Sequence, residues 1–253
     1  MNKNTLELIW TLARYDFKLR FNGSYLGIVW SLLKPALIYM VLYIVFSNIF
    51  KSQIEHFAAW LLTGFVLWDY FSDATVFGLQ ALQIKSYLIT KIYTKKRIII
   101  ISNLVFTTIF FFIKLIILAF LFVIDGVHPS VLAILNFFYL IFLMGILVSG
   151  YSLVSAFLYL KYRDLVHIWE VFLIAGFYLS PIIYPIKILP ELLQKVVYMN
   201  PMTSIIQFSK DALFDNQFHS FREYGILTMA YIGFFMLSYY IALKIKDKSV
   251  ECI

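Results

Sequence analysis

The chain has 253 residues, of which 62% are hydrophobic and only 14% are charged. A soluble domain of this length could not keep so much apolar sequence in water, so the bilayer must be its solvent. The net charge of +7 does not point to nucleic acid, because the basic residues sit between apolar runs rather than on a polar domain.

The first stretch, residues 1–26, is basic and studded with aromatics. Leu8, Leu12, Tyr15 and Leu19 recur at helical spacing, with Arg14, Lys18 and Arg20 on the other sides. That pattern predicts a helix lying in the membrane interface. A first span follows over 27–50, roughly 36 Å long as a helix and enough to cross a ~30 Å hydrocarbon core. Pro35 predicts a kink about two turns in. A secretory signal peptide fits poorly, since the apolar part is too long, starts too late and precedes no small-residue cleavage site.

Lys51 to His56 form a short polar link, so the second span, 57–80, must run antiparallel to the first. The segment 82–97 carries Lys85, Lys91, Lys95, Lys96 and Arg97 and no acidic residue. The third span, 98–124, is broken only by Lys114, and Asp125 to Ser130 (DGVHPS) make a turn. A fourth span covers 131–160 and ends at KYRD; a fifth covers 165–185 and is broken by Pro181 and Pro185. The sixth covers 224–243, ahead of Lys244, Lys246 and Lys248. Six spans put both termini on one side. The basic residues of the N-terminal lead, the 82–97 loop, KYRD and the tail all fall there, which makes that side cytoplasmic.

Residues 186–223 are no simple loop. Leu189, Leu192, Leu193, Val196 and Val197 form the stripe of an amphipathic helix about three turns long. After Asn200-Pro201, a second stripe runs through Ile205, Phe208, Ala212 and Leu213. Both are too short and polar to span, so two half-helices are expected at the outer leaflet, with a bland external cap as the plainer alternative.

Catalytic signals are lacking. There is no GxxxxGKS/T to cradle a phosphate, no GxGxxG after a strand and no HExxH, and the four histidines are scattered near span ends. Cys252 is the only cysteine, which excludes an internal disulfide and any cysteine-based zinc site. No metal ligands and no cofactor are assigned to this chain.

Charges at membrane depth are costly and usually face a partner or a cavity. Asp69 and Asp73 are one turn apart on the second span. Asp69 lies roughly 18 Å and Lys114 roughly 15 Å from the outer end of their spans, so an Asp69–Lys114 pair is expected, against the alternative that Lys114 snorkels. Glu170 sits at the mouth of the fifth span, where it meets Arg163, the basic loop or only the interface. Gly145, Ser149, Ser152 and Ala156 make a small-residue face for close helix packing. Tyr39, Tyr43, Phe46 and Phe50 stand on one side of the first span, and Trp60, Trp68 and Phe71 lie on the second. Such a ladder suits the apolar faces of sugar rings along a conducting path, or else simple packing.

FKLRFNGSYLGIVWSLLKP (Phe17 to Pro35) resembles the signature before the first span of ABC-2 type polysaccharide-export permeases. The likeness continues through TGFVLWDYFSDA (Thr63 to Ala74), YRDL (Tyr162 to Leu165), LSPIIYPIKILP (Leu179 to Pro190) and NPM (Asn200 to Met202), nearly the whole chain in register. The resemblance implies a transporter subunit, not an enzyme, in the cell inner membrane. It implies an all-α fold of six transmembrane helices, with an N-terminal interfacial helix and two half-helices gating the periplasmic exit. It also implies a homodimer, with a separate ATPase dimer that brings ATP and Mg and docks on the 82–97 loop. There Leu88, Ile89 and Ile92, beside the five basic residues, suit an amphipathic helix pressed into a groove. The implied cargo is a lipid-linked polysaccharide such as O-antigen, capsule or teichoic acid, most simply O-antigen on a polyprenyl diphosphate carrier. Asp69 and Asp73 depart from the family pattern. An ABC-2 drug or lipid exporter is the rival within transport, and an integral-membrane transferase acting on lipid-linked sugars the rival outside it. The want of an acidic or histidine cluster at one membrane face counts against the transferase.

Overall fold

A computed structural model describes residues 3–21, 27, 29–50, 54–87 and 95–248, and every regular element among them is helical. The helices are α1 (Lys3–Phe21), α2 (Val29–Phe50), α3 (Phe57–Ile84), α4 (Lys96–Asp125) and α5 (Val131–Lys161). After them come α6 (Leu165–Leu179), a 3-10 turn (Ile186–Ile188), α7 (Glu191–Val197), α8 (Pro201–Phe214) and α9 (Phe221–Lys248). α2, α4, α5 and α9 are each long and apolar enough to cross a membrane, and α6 is a shorter apolar helix. α2 passes through Pro35 without ending.

Local chemistry sets the helix ends. Gly126, with φ of 73°, closes α4 in the left-handed conformation that a side chain would resist. The Ser130 hydroxyl accepts the Ala133 N–H at 3.2 Å and starts α5. Asn200 does the same for α8 through the Met202 N–H at 3.0 Å, with Pro201 in the first turn. Asp125 reaches across from the end of α4 and accepts the Ala59 N–H at 3.2 Å. A carboxylate there suits the positive end of α3.

α3 is the axis of the bundle: Leu61, Leu67, Ala74, Leu79 and Leu82 have no exposed surface. α4 and α5 pack along it, α2, α6 and α8 cover the remainder, α9 lies on α5 and α1 on α4. α3 and α5 meet closely at Gly78, where an added Cβ would fall 2.0 Å from Ser152 Oγ and 2.6 Å from Ser152 Cβ. Gly78→Ala is therefore expected to pry α3 from α5 and cost about 1–3 kcal/mol. A lowered melting temperature of the detergent-purified protein checks this, and unchanged melting would refute it.

Only one end of the expected small-residue face packs closely. Ser152 and Ala156 are buried, whereas Gly145 has open space before it and borders, with Ser149, a cavity of about 490 Å³. The two stripes between α6 and α9 also part company. α7 buries only Val197 and leaves Leu192, Leu193 and Val196 exposed. α8 turns Ile205, Phe208, Ala212 and Leu213 inward as their spacing predicts, and buries Thr203, Ser209 and Lys210 besides. It sits inside the bundle, occupying the room left where α6 stops short. In α1 the buried residues are Ile9, Leu12 and Ala13, while Leu8 and Tyr15 face outward.

Candidate functional site

Among the described residues, buried lysines stand at three places. In the first, Lys114 on α4 donates to Asp69 Oδ2 and, at 3.3 Å, to Asp73 Oδ2 on α3. The Lys114 side chain is 8% exposed, so the ammonium depends on these carboxylates for its solvation. Matching depth pointed to Asp69, and Asp73 joins because a helical turn brings it alongside. Asp69 and Lys114 also border an apolar groove of about 270 Å³ between α2, α3 and α4.

The second lies at the other end of α3. Lys85 Nζ donates to Asp16 Oδ2 at 2.5 Å and to Ser102 Oγ at 3.2 Å, joining α3, α1 and α4. Burial pulls the Lys85 ammonium down from its usual range and pushes the Asp16 carboxyl up, each opposed by the other's charge. The expectation that Lys85 belongs to an ATPase-docking surface is corrected here: it is buried and already paired. Arg97 donates to Tyr239 Oη at 2.9 Å and lies over the Tyr239 ring, while Lys96 lies 5.6 Å from the Phe157 ring centre. Lys95 is exposed at the start of α4. Leu88, Ile89, Lys91 and Ile92 lie outside the described residues. Glu170, expected to meet Arg163, the basic loop or only the interface, faces His167 at 3.6 Å on an exposed surface, in keeping with the last of these.

The third was not foreseen. Lys210 on α8 is buried, with Nζ donating to the carbonyls of Pro181 and Ile182 at 2.7 and 3.0 Å. These carbonyls belong to the stretch where α6 has ended at the proline, so the lysine satisfies backbone groups that the broken helix cannot. Burial pulls its ammonium well below the usual range. Nζ also lies 3.1 Å from the centre of the Trp60 ring. Gly64 makes room, since a Cβ there would come within 2.9 Å of Lys210 Cε and Nζ. The only trace in the sequence is a lysine inside an otherwise inward-facing stripe.

The aromatic residues pair mainly with one another. Tyr39 Oη donates to the Ala58 carbonyl at 2.9 Å and stacks with Tyr43; Tyr43 stacks on Phe57, and Phe46 on Phe50. The ladder of the first span thus forms the seam between α2 and α3. Trp60, Trp68 and Phe71 are buried, with Trp68 against Phe177 and Phe71 against Trp169. Within this protomer these three rings offer almost no face to a passing sugar. Among the described residues, no group of three or more His, Cys, Asp or Glu could hold a metal ion.

Residues 7–214 match the family model of the ABC-2 type transporter. The chain is 28% identical over 233 residues to an O-antigen export system permease protein RfbA of Klebsiella pneumoniae, covering 92% of this chain and 88% of that protein. A second Klebsiella pneumoniae protein of that name is 27% identical over 98% of this chain and 95% of its own length. The protein of that name from Myxococcus xanthus is 25% identical over 79% of this chain and 77% of its own length. The family match runs from α1 to the end of α8 and so takes in Lys85, Lys114 and Lys210; the chain belongs to the ABC-2 type transporter family and is a multi-pass membrane permease.

Proposed function

We propose that this chain is the channel-forming permease of an ATP-driven exporter that carries a lipid-linked polysaccharide, O-antigen on a polyprenyl diphosphate carrier, across the inner membrane. In this reading α2, α3, α4, α5, α6 and α9 are the six spans, and both termini are cytoplasmic. α1 lies in the interface, and α7 and α8 form the periplasmic gate. Two copies make the channel, and an ABC ATPase dimer drives it. The observation that carries the reading is the likeness, over nearly the full length of both chains, to O-antigen export permeases. It is tested by deleting the chain in its host and restoring it together with its ATPase. Surface polysaccharide should disappear and return, with lipid-linked glycan accumulating inside meanwhile. Surface polysaccharide that survives deletion, with drug sensitivity gained in its place, would move the chain to the drug-exporter branch.

The basic segment 82–97 supplies the ATPase dock in this reading, with Leu88, Ile89 and Ile92 as its apolar contacts and Lys91 and Lys95 at its rim. Changing Leu88, Ile89 and Ile92 together to Asp should abolish co-purification of the ATPase while α3 and α4 remain folded. Normal yield of the complex from that variant would place the dock elsewhere.

A further inference from the structure

A polar recess opens where the α2–α3 hairpin, the 3-10 turn and α8 meet, beyond the Pro185 break. Its volume of about 550 Å³ lies within the ~300–1,000 Å³ typical of small-molecule sites. Its walls are rich in hydrogen-bond acceptors: Glu55 from the hairpin, and Gln207, Asp211 and Asp215 on or just after α8. Lys187 on the turn supplies a cationic donor, and the edge of Trp60 an apolar wall.

The wiring beneath the recess holds one of these acceptors in place. Asp211 accepts from Gln207 Nε2 at 2.7 Å through one oxygen and meets His219 Nε2 at 2.9 Å through the other. His219 is itself stacked on Phe208, ring centres 3.6 Å apart. With its amide nitrogen committed to Asp211, Gln207 is 9% exposed, and its Oε1 has no hydrogen-bond partner among the described residues. A buried acceptor without a donor is costly, and a water or a ligand hydroxyl seated in the recess would satisfy it. Asp215 stands exposed at the rim, where burial and the charge of Asp211 push its carboxyl up and Lys187 opposes them, so its oxygens face the recess as acceptors.

This lining also narrows the ligand. Three carboxylates against one lysine repel a phosphate or diphosphate. The acidic and histidine side chains do not converge as metal ligands among the described residues. A purely apolar chain would leave every polar group unsatisfied. What suits it is an uncharged molecule with many hydroxyl donors and some apolar C–H surface to lie in van der Waals contact with the Trp60 edge, which is the chemistry of a sugar ring.

We infer that the recess of Glu55, Lys187, Gln207, Asp211 and Asp215 is a subsite for one sugar residue of the exported glycan, on the outer side of the gate. The inference rests on the exporter reading above and adds to it a place where the cargo is recognised. Gln207 and Asp215 are the groups expected to touch ligand hydroxyls; Asp211 is a positioning residue that orients the Gln207 amide.

The test uses the full chain assembled with its ATPase in detergent and saturation-transfer NMR. The probes are the monosaccharides released by acid hydrolysis of the host's own surface polysaccharide, with inorganic phosphate in competition. At least one sugar should bind, phosphate should not displace it, and Gln207→Leu and Asp215→Asn should each weaken binding by about tenfold. Asp215 is exposed, so its variant tests the site without disturbing the interior. No sugar binding, displacement by phosphate, or binding that both variants leave unchanged would each overturn the inference. Export of surface polysaccharide by the wild-type complex is measured in parallel. If export is present while binding is absent, the exporter reading stands and the subsite falls; if export is absent, the exporter reading itself fails.

Discussion

Replacing Lys114 with Ala is expected to lower the stability of the permease by about 3–5 kcal/mol, the range for stripping one partner from a buried ionic cluster. The ammonium bridges two carboxylates on adjacent turns of α3. Without it, Asp69 and Asp73 repel each other across one turn of α3 with the bridging ammonium gone, and α4 loses its polar tie to α3. The paired control is the triple variant Asp69→Asn, Asp73→Asn, Lys114→Met, which removes all three charges and keeps the volumes similar. Its melting temperature in detergent should return most of the way to that of the parent. A single variant that melts like the parent would show that α3 and α4 are held by their apolar contacts alone. A triple variant as unstable as the single one would show that hydrogen bonding, not charge balance, is what matters there.

Asp16→Ala is expected to release α1 from the body of the protein. Lys85 and Asp16 are 4% and 10% exposed at the side chain, so removing the acid leaves a buried ammonium held in the clasp by the Ser102 hydroxyl. The cost should again be about 3 kcal/mol or more, concentrated on the α1 contact. Limited proteolysis should then cut within Lys3–Phe21 at a protease concentration that leaves the parent intact. The exchange Asp16→Lys with Lys85→Asp rebuilds the pair in reverse and should restore much of the protection. Because Lys85 anchors the start of the segment assigned to ATPase docking, ATP-driven export should fall in Asp16→Ala and recover in the exchanged variant. Equal protection of α1 in Asp16→Ala would mean that Phe17 and Phe110, stacked at 5.7 Å, hold the helix without the clasp.

Helix limits and one ion pair were legible in the sequence because they rest on local quantities. Proline, glycine and capping residues mark ends such as Gly126 and Asn200, and counting residues from an end gives depth, which brought Lys114 to the level of Asp69. What periodicity does not contain is the identity of the neighbour. The ladder from Tyr39 to Phe50 was correctly placed on one side of its helix, yet only the packing reveals that this side faces α3. Lys85 stood in a run of basic residues and took its meaning from them. The signal that would have separated it was Asp16, a lone acid among Arg14, Lys18 and Arg20. Lys210 was obscured in another way: its Nζ is held by backbone carbonyls and an indole face, and neither leaves a mark in the spacing of residues.

No residue of α2 is buried within the protomer, and its contacts run chiefly to α3, through ring faces and the Tyr39 hydroxyl. Within the protomer this helix is held along one seam, where Tyr39, Leu42, Tyr43, Phe46 and Phe50 pack against the core, and the rest of its surface is left to lipid or to the partner copy. Its height is tied to bilayer thickness, whereas α3, enclosed by α4, α5 and α8, keeps its level by side-chain packing. In a thinner membrane α2 tilts to hide its apolar length while α3 stays put, and their ring seam takes up the shear. The lipid thereby sets the resting angle between the first two spans, so membranes of different acyl-chain length hold the same permease in different postures.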